Sequence, residues 1–236
     1  SKGLGKAMAR GFAKAGANVV ICSRHQAELD AAVAEIPAET KSQVRAFVAD
    51  LADRAQTEQL ARDALAAFGR IDILVNNAGS NVPEWTDVVT DANWDRILEL
   101  NLNSCMALTR AVAPGMKERR WGRIIHISSV MGLMSKAGRG AYSATKAALI
   151  GLARAQALDL GQYGITANCI APGPFLTDLP QSVLSPAEQQ QFAEQTALGR
   201  WANPDELAGP ALLLASDAGS YITGATLLVD GGMLCK

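Results

Sequence analysis

Short apolar runs alternate along this chain with longer stretches in which apolar residues recur every third or fourth position. The runs Asn18–Ser23, Val44–Val48, Ile71–Val75, Arg123–Ser128, Thr166–Ala171 and Thr226–Val229 are rich in Val and Ile, with little polar alternation. That is the pattern of strands covered on both faces. Between them, Leu4–Ala15, Gln26–Ile36, Ala55–Phe68, Asn93–Glu118, Tyr142–Leu160 and Asp205–Ala215 read as helices. A shorter helix, Pro186–Gln195, is predicted behind Ser185 as its cap. Strand–helix alternation predicts right-handed βαβ units, hence an α/β fold with a doubly wound parallel sheet of the Rossmann type. No linker, repeat or low-complexity segment interrupts it, so residues 1–236 read as one domain.

The chain opens on Ser1-Lys2-Gly3-Leu4-Gly5 and runs directly into a helix. A glycine turn of this kind is expected to follow a strand that lies centrally in such a sheet. The sequence holds no strand ahead of it. The expectation is therefore a first strand missing from this sequence and a domain that is N-terminally incomplete.

Composition narrows the function classes. Apolar residues make up 49% of the 236, and the net charge is −1 with both signs scattered. A nucleic-acid partner would require a basic face, and none is evident. No run approaches membrane-spanning length and no signal-peptide order opens the chain, so a soluble cytoplasmic protein with no membrane partner is expected. Cys22, Cys105, Cys169 and Cys235 lack CxxC spacing, and His25 and His126 stand far apart. They read as buried or reduced thiols and isolated imidazoles, with no metal site.

The chemistry-bearing residues gather where strands end. Gly3 and Gly5 at a helix start allow backbone amides to approach a pyrophosphate, and the helix dipole favours its charge. The next strand ends at Ser23-Arg24, where an NAD-binding site would carry an acid for the ribose hydroxyls. Arg24 can instead pair with a 2′-phosphate, with Lys2 adding charge, which predicts NADP(H) over NAD(H). A solvated surface arginine is the alternative. Asp50 can accept from an adenine amino group or cap its own loop. Asn76-Asn77-Ala78-Gly79 can pass close to a ribose or form a structural turn.

Tyr142 and Lys146 are four apart at a helix start and share a face. Reduction of a ketone needs a proton donor beside the developing alkoxide, and oxidation needs the same group as base. A free phenol titrates near ~10, and an adjacent ammonium favours the phenolate. Ser129, thirteen residues before Tyr142 at a strand end, can donate to the same substrate oxygen, with Ser128 as its rival. Asn101 interrupts a run of leucines within the predicted helix Asn93–Glu118 and can bend it or hold a water. Asn103 fits an ordinary solvent-facing role.

With these residues in order, the chain resembles the short-chain dehydrogenase/reductase family over nearly its whole length. The resemblance rests on Ser1-Lys2-Gly3-Leu4-Gly5, Asp50-Leu51, Asn76-Asn77-Ala78-Gly79, Asn101, Ser129, Tyr142 with Lys146, Asn168, Pro172-Gly173 with Thr177, and Val229-Asp230-Gly231-Gly232. It implies Tyr142 as acid/base, Ser129 positioning the carbonyl, Lys146 on the nicotinamide ribose and lowering the tyrosine pKa, and Asn101 holding a relay water. It further implies cofactor contacts from the glycine turn, Leu51, Asn77, Ala78, Gly79, Phe175 and Thr177, and a homodimer or homotetramer. The departure is the absent first strand together with the first glycine of the usual turn.

The walls expected around a small-molecule carbonyl or alcohol substrate are Asn81–Trp85, Val130–Gly140 and Phe175–Leu184. They are mainly apolar, through Trp85, Met131, Met134, Phe175, Leu176 and Leu179, with Lys136 and Arg139 able to meet an anionic group. Within the family the likeness is to 3-oxoacyl-carrier-protein reductases and gluconate 5-dehydrogenase-like sugar reductases. A different class stays open: a non-catalytic NADP(H)-binding or scaffold module, or an inactive truncated fragment.

Overall fold

Each apolar run becomes a strand of a parallel sheet; Gly122–Ile127 and Ile165–Pro172 are buried residue by residue, as strands covered on both faces are, while Val48 and Leu228 in two of the others stay exposed. The computed structural model describes residues 1–36, 40–177 and 185–235. Its strands are β1 (Val19–Ser23), β2 (Val44–Val48), β3 (Ile73–Asn76), β4 (Gly122–Ile127), β5 (Ile165–Pro172) and β6 (Thr226–Val229). Its helices are α1 (Gly3–Lys14), α2 (Gln26–Glu35), α3 (Arg54–Phe68), α4 (Asp91–Leu98), α5 (Ser104–Arg119), α6 (Gly140–Leu160), α7 (Pro186–Glu194) and α8 (Ala208–Ala215). All strand pairs are parallel. β1 pairs with β2, and β3-β4-β5-β6 form a second hydrogen-bonded group.

Among the described residues no strand bridges β1 and β3. Side chains from both groups pack together. Met8 and Phe12 of α1 and Leu29 of α2 pack in one cluster with Ile21, Val44, Ile125, Ile127, Ile170 and Leu214. That face of the sheet carries α1, α2 and α8. On the other face Leu60 of α3 packs with Ala49 and Leu51, and Leu149 and Ala153 of α6 pack with Cys105 and Cys169. The chain winds from β1 to β2, then crosses by α3 to β3 on the far side. This reversal is the switch point at which open α/β sheets bind ligands, outside the carboxyl ends of the strands.

Most element boundaries shift by a residue or two, α6 for instance opening at Gly140 rather than Tyr142; three shifts have a clear local reason. Asn93–Glu118 is not one helix. Thr90 accepts from the Asn93 amide and starts α4 two residues earlier, and Glu99–Asn103 forms a π-helical turn between α4 and α5. Asp205–Ala215 begins as a 3₁₀ turn over Pro204–Leu207, because Asn203 and Glu206 form a capping box there. β3 starts at Ile73 rather than Ile71 and reaches Asn76, whose register partner on β4 is His126. Ser185 caps α7 as read from sequence, with Glu188 completing a capping box behind Pro186.

Candidate active site

Lys146 lies one helical turn beyond Tyr142 on α6, and its side chain points inward because the helix packs its apolar stripe on β4 and β5. The residue is only 3% exposed. Its Nζ donates to the carbonyl oxygen of Ile127 at 2.7 Å, at the carboxyl end of β4, and lies 5.5 Å from the centre of the Tyr142 ring. Among the described residues no carboxylate comes within ion-pair distance of it. A buried ammonium without a counter-ion is costly, so its place is held by hydrogen bonding and by the ring beside it.

The two serines at the end of β4 differ sharply. Ser128 Oγ donates to the main-chain oxygen of Lys146 at 2.7 Å, in full burial. It fastens α6 to the strand end. Ser129 Oγ accepts from the Met131 amide at 3.1 Å, as cap of the turn Val130–Gly132. Having accepted, it keeps its own proton to give. Gly132 allows this turn to sit against α6, since a Cβ there would stand 2.8 Å from Lys146 backbone.

Asn101 is fully buried in the π-helical turn. Its Nδ2 donates to Ser80 O at 2.9 Å and Thr145 Oγ1 at 3.1 Å, while Oδ1 accepts from Ser80 N at 2.9 Å. It ties the loop after β3 to α6. Both amide protons are engaged, so a single Oδ1 lone pair is what it can offer to a water. Asn103, by contrast, donates to Glu99 within its own turn. Gly79 stands between these groups: a Cβ there would lie 3.2 Å from Lys146 Nζ and 3.4 Å from Asn101 Oδ1.

The glycine turn reaches the same strand ends. α1 starts at Gly3, with φ +50°, no side-chain cap from Lys2 and no acid in its first turn. Its first amides are therefore unclaimed by side chains, as an anion seat requires. A Cβ on Gly5 would meet Asn77 Nδ2 at 2.7 Å, and one on Gly3 would meet Thr177 Cγ2 at 3.2 Å. Gly3, Gly5, Asn77 and Thr177 thus converge at one place, where the helix-start amides suit a pyrophosphate, while Leu4 packs against the core and Ser1 and Lys2 contact Glu28.

The remaining candidates divide. Asp50 Oδ1 accepts from Ala52 N at 2.9 Å, the loop-capping role, while Oδ2 is 3.5 Å from Arg96. Leu51 is buried beside Ala78 in a hydrophobic cluster. Phe175 is 4% exposed and belongs to the core; Gly173 lies against the Asp230 backbone, next to Pro172 at the end of β5. Trp85 is exposed, Met131 and Leu176 are half-buried, and Leu179 lies outside the described residues with the rest of 178–184. Lys136 Nζ lies 4.5 Å over the Phe192 ring. Burial pushes the Cys105 and Cys169 thiols up, Cys169 to about 12, so both stay protonated.

Sequence reasoning missed Glu28. Its carboxylate bonds Ser1 Oγ at 3.0 Å, Ser23 Oγ at 3.1 Å and Lys2 Nζ at 2.9 Å. Lys2 above all, then the two hydroxyls, hold it down at about 2. The only signal in sequence is its spacing, five residues past Ser23 and within the first turn of α2.

The family model described as enoyl-(acyl carrier protein) reductase matches residues 1–234. The chain is 37% identical over 236 residues to a 3-oxoacyl-[acyl-carrier-protein] reductase of Synechocystis sp., covering 99% of this chain and 94% of that protein. This chain belongs to the short-chain dehydrogenase/reductase family. Family membership makes it an oxidoreductase that binds a nicotinamide cofactor and acts on a small molecule. The backbone agrees with solved members. A putative gluconate dehydrogenase from Agrobacterium tumefaciens superposes with TM-score 0.94 at 33% identity, covering 100% of this chain and 93% of that one. A putative NAD(P)-dependent gluconate 5-dehydrogenase from Beutenbergia cavernae, with bound NADP, gives 0.93 at 36% identity, covering 100% and 94%. Among the described residues no helix is long and apolar enough to cross a membrane.

Proposed function

We propose that this family member interconverts a carbonyl and a secondary alcohol with NADP(H), using Tyr142, Ser129 and Lys146 as its catalytic residues. The observation that carries the reading is the buried Lys146 ammonium, pinned to the Ile127 carbonyl beside the Tyr142 ring. A positive charge left without a counter-ion makes chemical sense where a negative charge must form, and the Tyr142 phenolate is that charge.

A bound nicotinamide ring supplies the hydride in reduction and accepts it in oxidation. As negative charge grows on the carbonyl oxygen, Tyr142 gives it the phenolic proton, and Ser129 donates its free O–H to the same oxygen. Lys146 then stabilises the phenolate. Asn101 acts as a positioning residue, holding Ser80 and Thr145 so that Gly79 leaves the ammonium its space. The glycine turn of Ser1, Lys2, Gly3, Leu4 and Gly5 would hold the pyrophosphate, with Asn77, Ala78, Gly79 and Thr177 along the cofactor and Ser23 and Arg24 at the adenosine end.

The apolar residues Met131, Met134 and Leu176 near this edge, with Lys136 at its rim, suit a substrate with an apolar portion and an acidic group. The names of the similar proteins supply one class for each feature, an acyl group on a carrier for the apolar residues and a sugar acid for Lys136. We also propose a homo-oligomer in the cytoplasm, as the family resemblance implies.

The test is turnover with NADPH on a panel of 3-oxoacyl thioesters and keto-sugar acids. Tyr142→Phe is expected to lower kcat by roughly 10²- to 10⁴-fold, with NADPH binding within about twofold of wild type. Undiminished turnover in that variant overturns the reading.

A further inference from the structure

We infer that Glu28 sets the cofactor selectivity of this pocket: its carboxylate is an internal anion seated on Lys2, Ser1 and Ser23, and a 2′-phosphate must displace it. The inference rests on the proposed binding of the adenosine end at Ser23 and Arg24.

Three donors converge on this one carboxylate. Ser1 and Ser23 each donate a hydroxyl proton to Oε2, at 3.0 and 3.1 Å, and Lys2 Nζ is 2.9 Å from Oε1. Ser23 is fixed in that orientation, since its Oγ accepts from the His25 amide at 3.3 Å. These are the groups that a phosphomonoester at the end of β1 would use. Arg24, next in sequence, is exposed and makes no ion pair among the described residues. The pocket thus has a cationic side suited to phosphate and a carboxylate already occupying its hydroxyls.

The two nucleotides meet Glu28 differently. A ribose 2′-hydroxyl can donate to the carboxylate where it stands, and nothing need move. A 2′-phosphate carries negative charge and accepts the same protons, so it and the carboxylate cannot share them. Glu28 must swing away into solvent, which its place in the first turn of α2 allows. What NADP(H) gains from Lys2, Ser1, Ser23 and Arg24 is therefore offset by breaking three contacts already made. Removing the charge at residue 28 removes that competition and leaves the donors in place.

The discriminating experiment compares adenosine 2′,5′-bisphosphate with 5′-AMP, which differ by the 2′-phosphate alone, by calorimetric titration of wild type, Glu28→Gln and Glu28→Ala. Both variants are expected to bind the bisphosphate about tenfold more tightly, equivalent to ~1.4 kcal/mol, while 5′-AMP, whose 2′-hydroxyl loses the carboxylate it donates to, binds no more tightly than to wild type. The 5′-AMP arm also reports that the pocket is folded. Unchanged or weaker binding of the bisphosphate, or equal gains for both nucleotides, overturns the role given to Glu28 while leaving NADPH-dependent turnover untouched. If neither nucleotide binds any of the three proteins, the adenosine site falls, and this inference with it.

Discussion

Ser128 and Ser129 are adjacent, alike in chemistry and opposite in hydrogen bonding. Ser128 spends its proton on the Lys146 carbonyl, and Ser129 accepts from Met131 and keeps its own. Ser128→Ala is therefore expected to cost about 1–2 kcal/mol in denaturant unfolding, because a buried acceptor loses its partner. Ser129→Ala is expected to cost less, below about 1 kcal/mol, because the half-buried Met131 amide it leaves can turn to water, and to lower kcat by roughly 10²-fold or more. A reversed pattern would exchange the two roles. Sequence placed Ser129 ahead of Ser128 and Asn101 ahead of Asn103, chiefly through the family resemblance; the bond that sets Ser128 apart runs to a partner eighteen residues away and is not legible there. For Asp50 the sequence left the loop cap and the adenine contact even. Glu28 shows the limit most clearly: two of its three partners come from the glycine turn, brought near only by the fold.

At the scale of elements, legibility followed burial. Runs such as Arg123–Ser128 and Thr166–Ala171 announced β4 and β5 because both faces of those strands are covered. The break between α4 and α5 was hinted at only by Asn101, since a π-helical turn leaves the apolar spacing nearly intact. That turn, the loop after β3 and α6 meet at Gly79, and the spacing there is tight. Gly79→Ala places a methyl 3.2 Å from Lys146 Nζ, an atom held by Ile127 and unable to retreat freely. The expected outcome is at least a tenfold fall in kcat (about 1.4 kcal/mol) with a change in unfolding free energy below about 1 kcal/mol, read from paired kinetic and denaturation measurements. Equal losses in both would mean that the glycine serves folding rather than the site.

For the whole molecule, His126 is a buried reporter. Its Nδ1 lies 3.1 Å from Asn76 Nδ2 and its Nε2 2.9 Å from Gln156 Oε1, linking β3, β4 and α6. Burial, partly countered by Gln156, pulls the imidazole down to about 4. A folded-state value below the unfolded one means that the unfolded chain binds the proton first as pH falls. Stability is therefore full above about pH 6.5 and declines through pH 4, by roughly 3 kcal/mol at most. Urea unfolding between pH 7 and 4.5 should show this slope, and His126→Gln should flatten it. A wild-type profile flat across that range would place the imidazole in water. The sheet's architecture was read correctly from strand–helix alternation. The apolar cluster in which α1, α2 and α8 pack on residues of both β1–β2 and β3–β6 was not legible, because its members lie far apart in sequence.

The anchor of Lys146 is a main-chain oxygen. No replacement of the Ile127 side chain can delete that acceptor, so position 127 is free to drift among apolar residues while the lysine stays moored. Selection at the end of β4 then acts on the path of the backbone, through neighbours such as Ser128 and Gly132 that fix it. Laboratory evolution toward new substrates can accordingly rebuild the surrounding walls without first having to protect the group that holds the lysine.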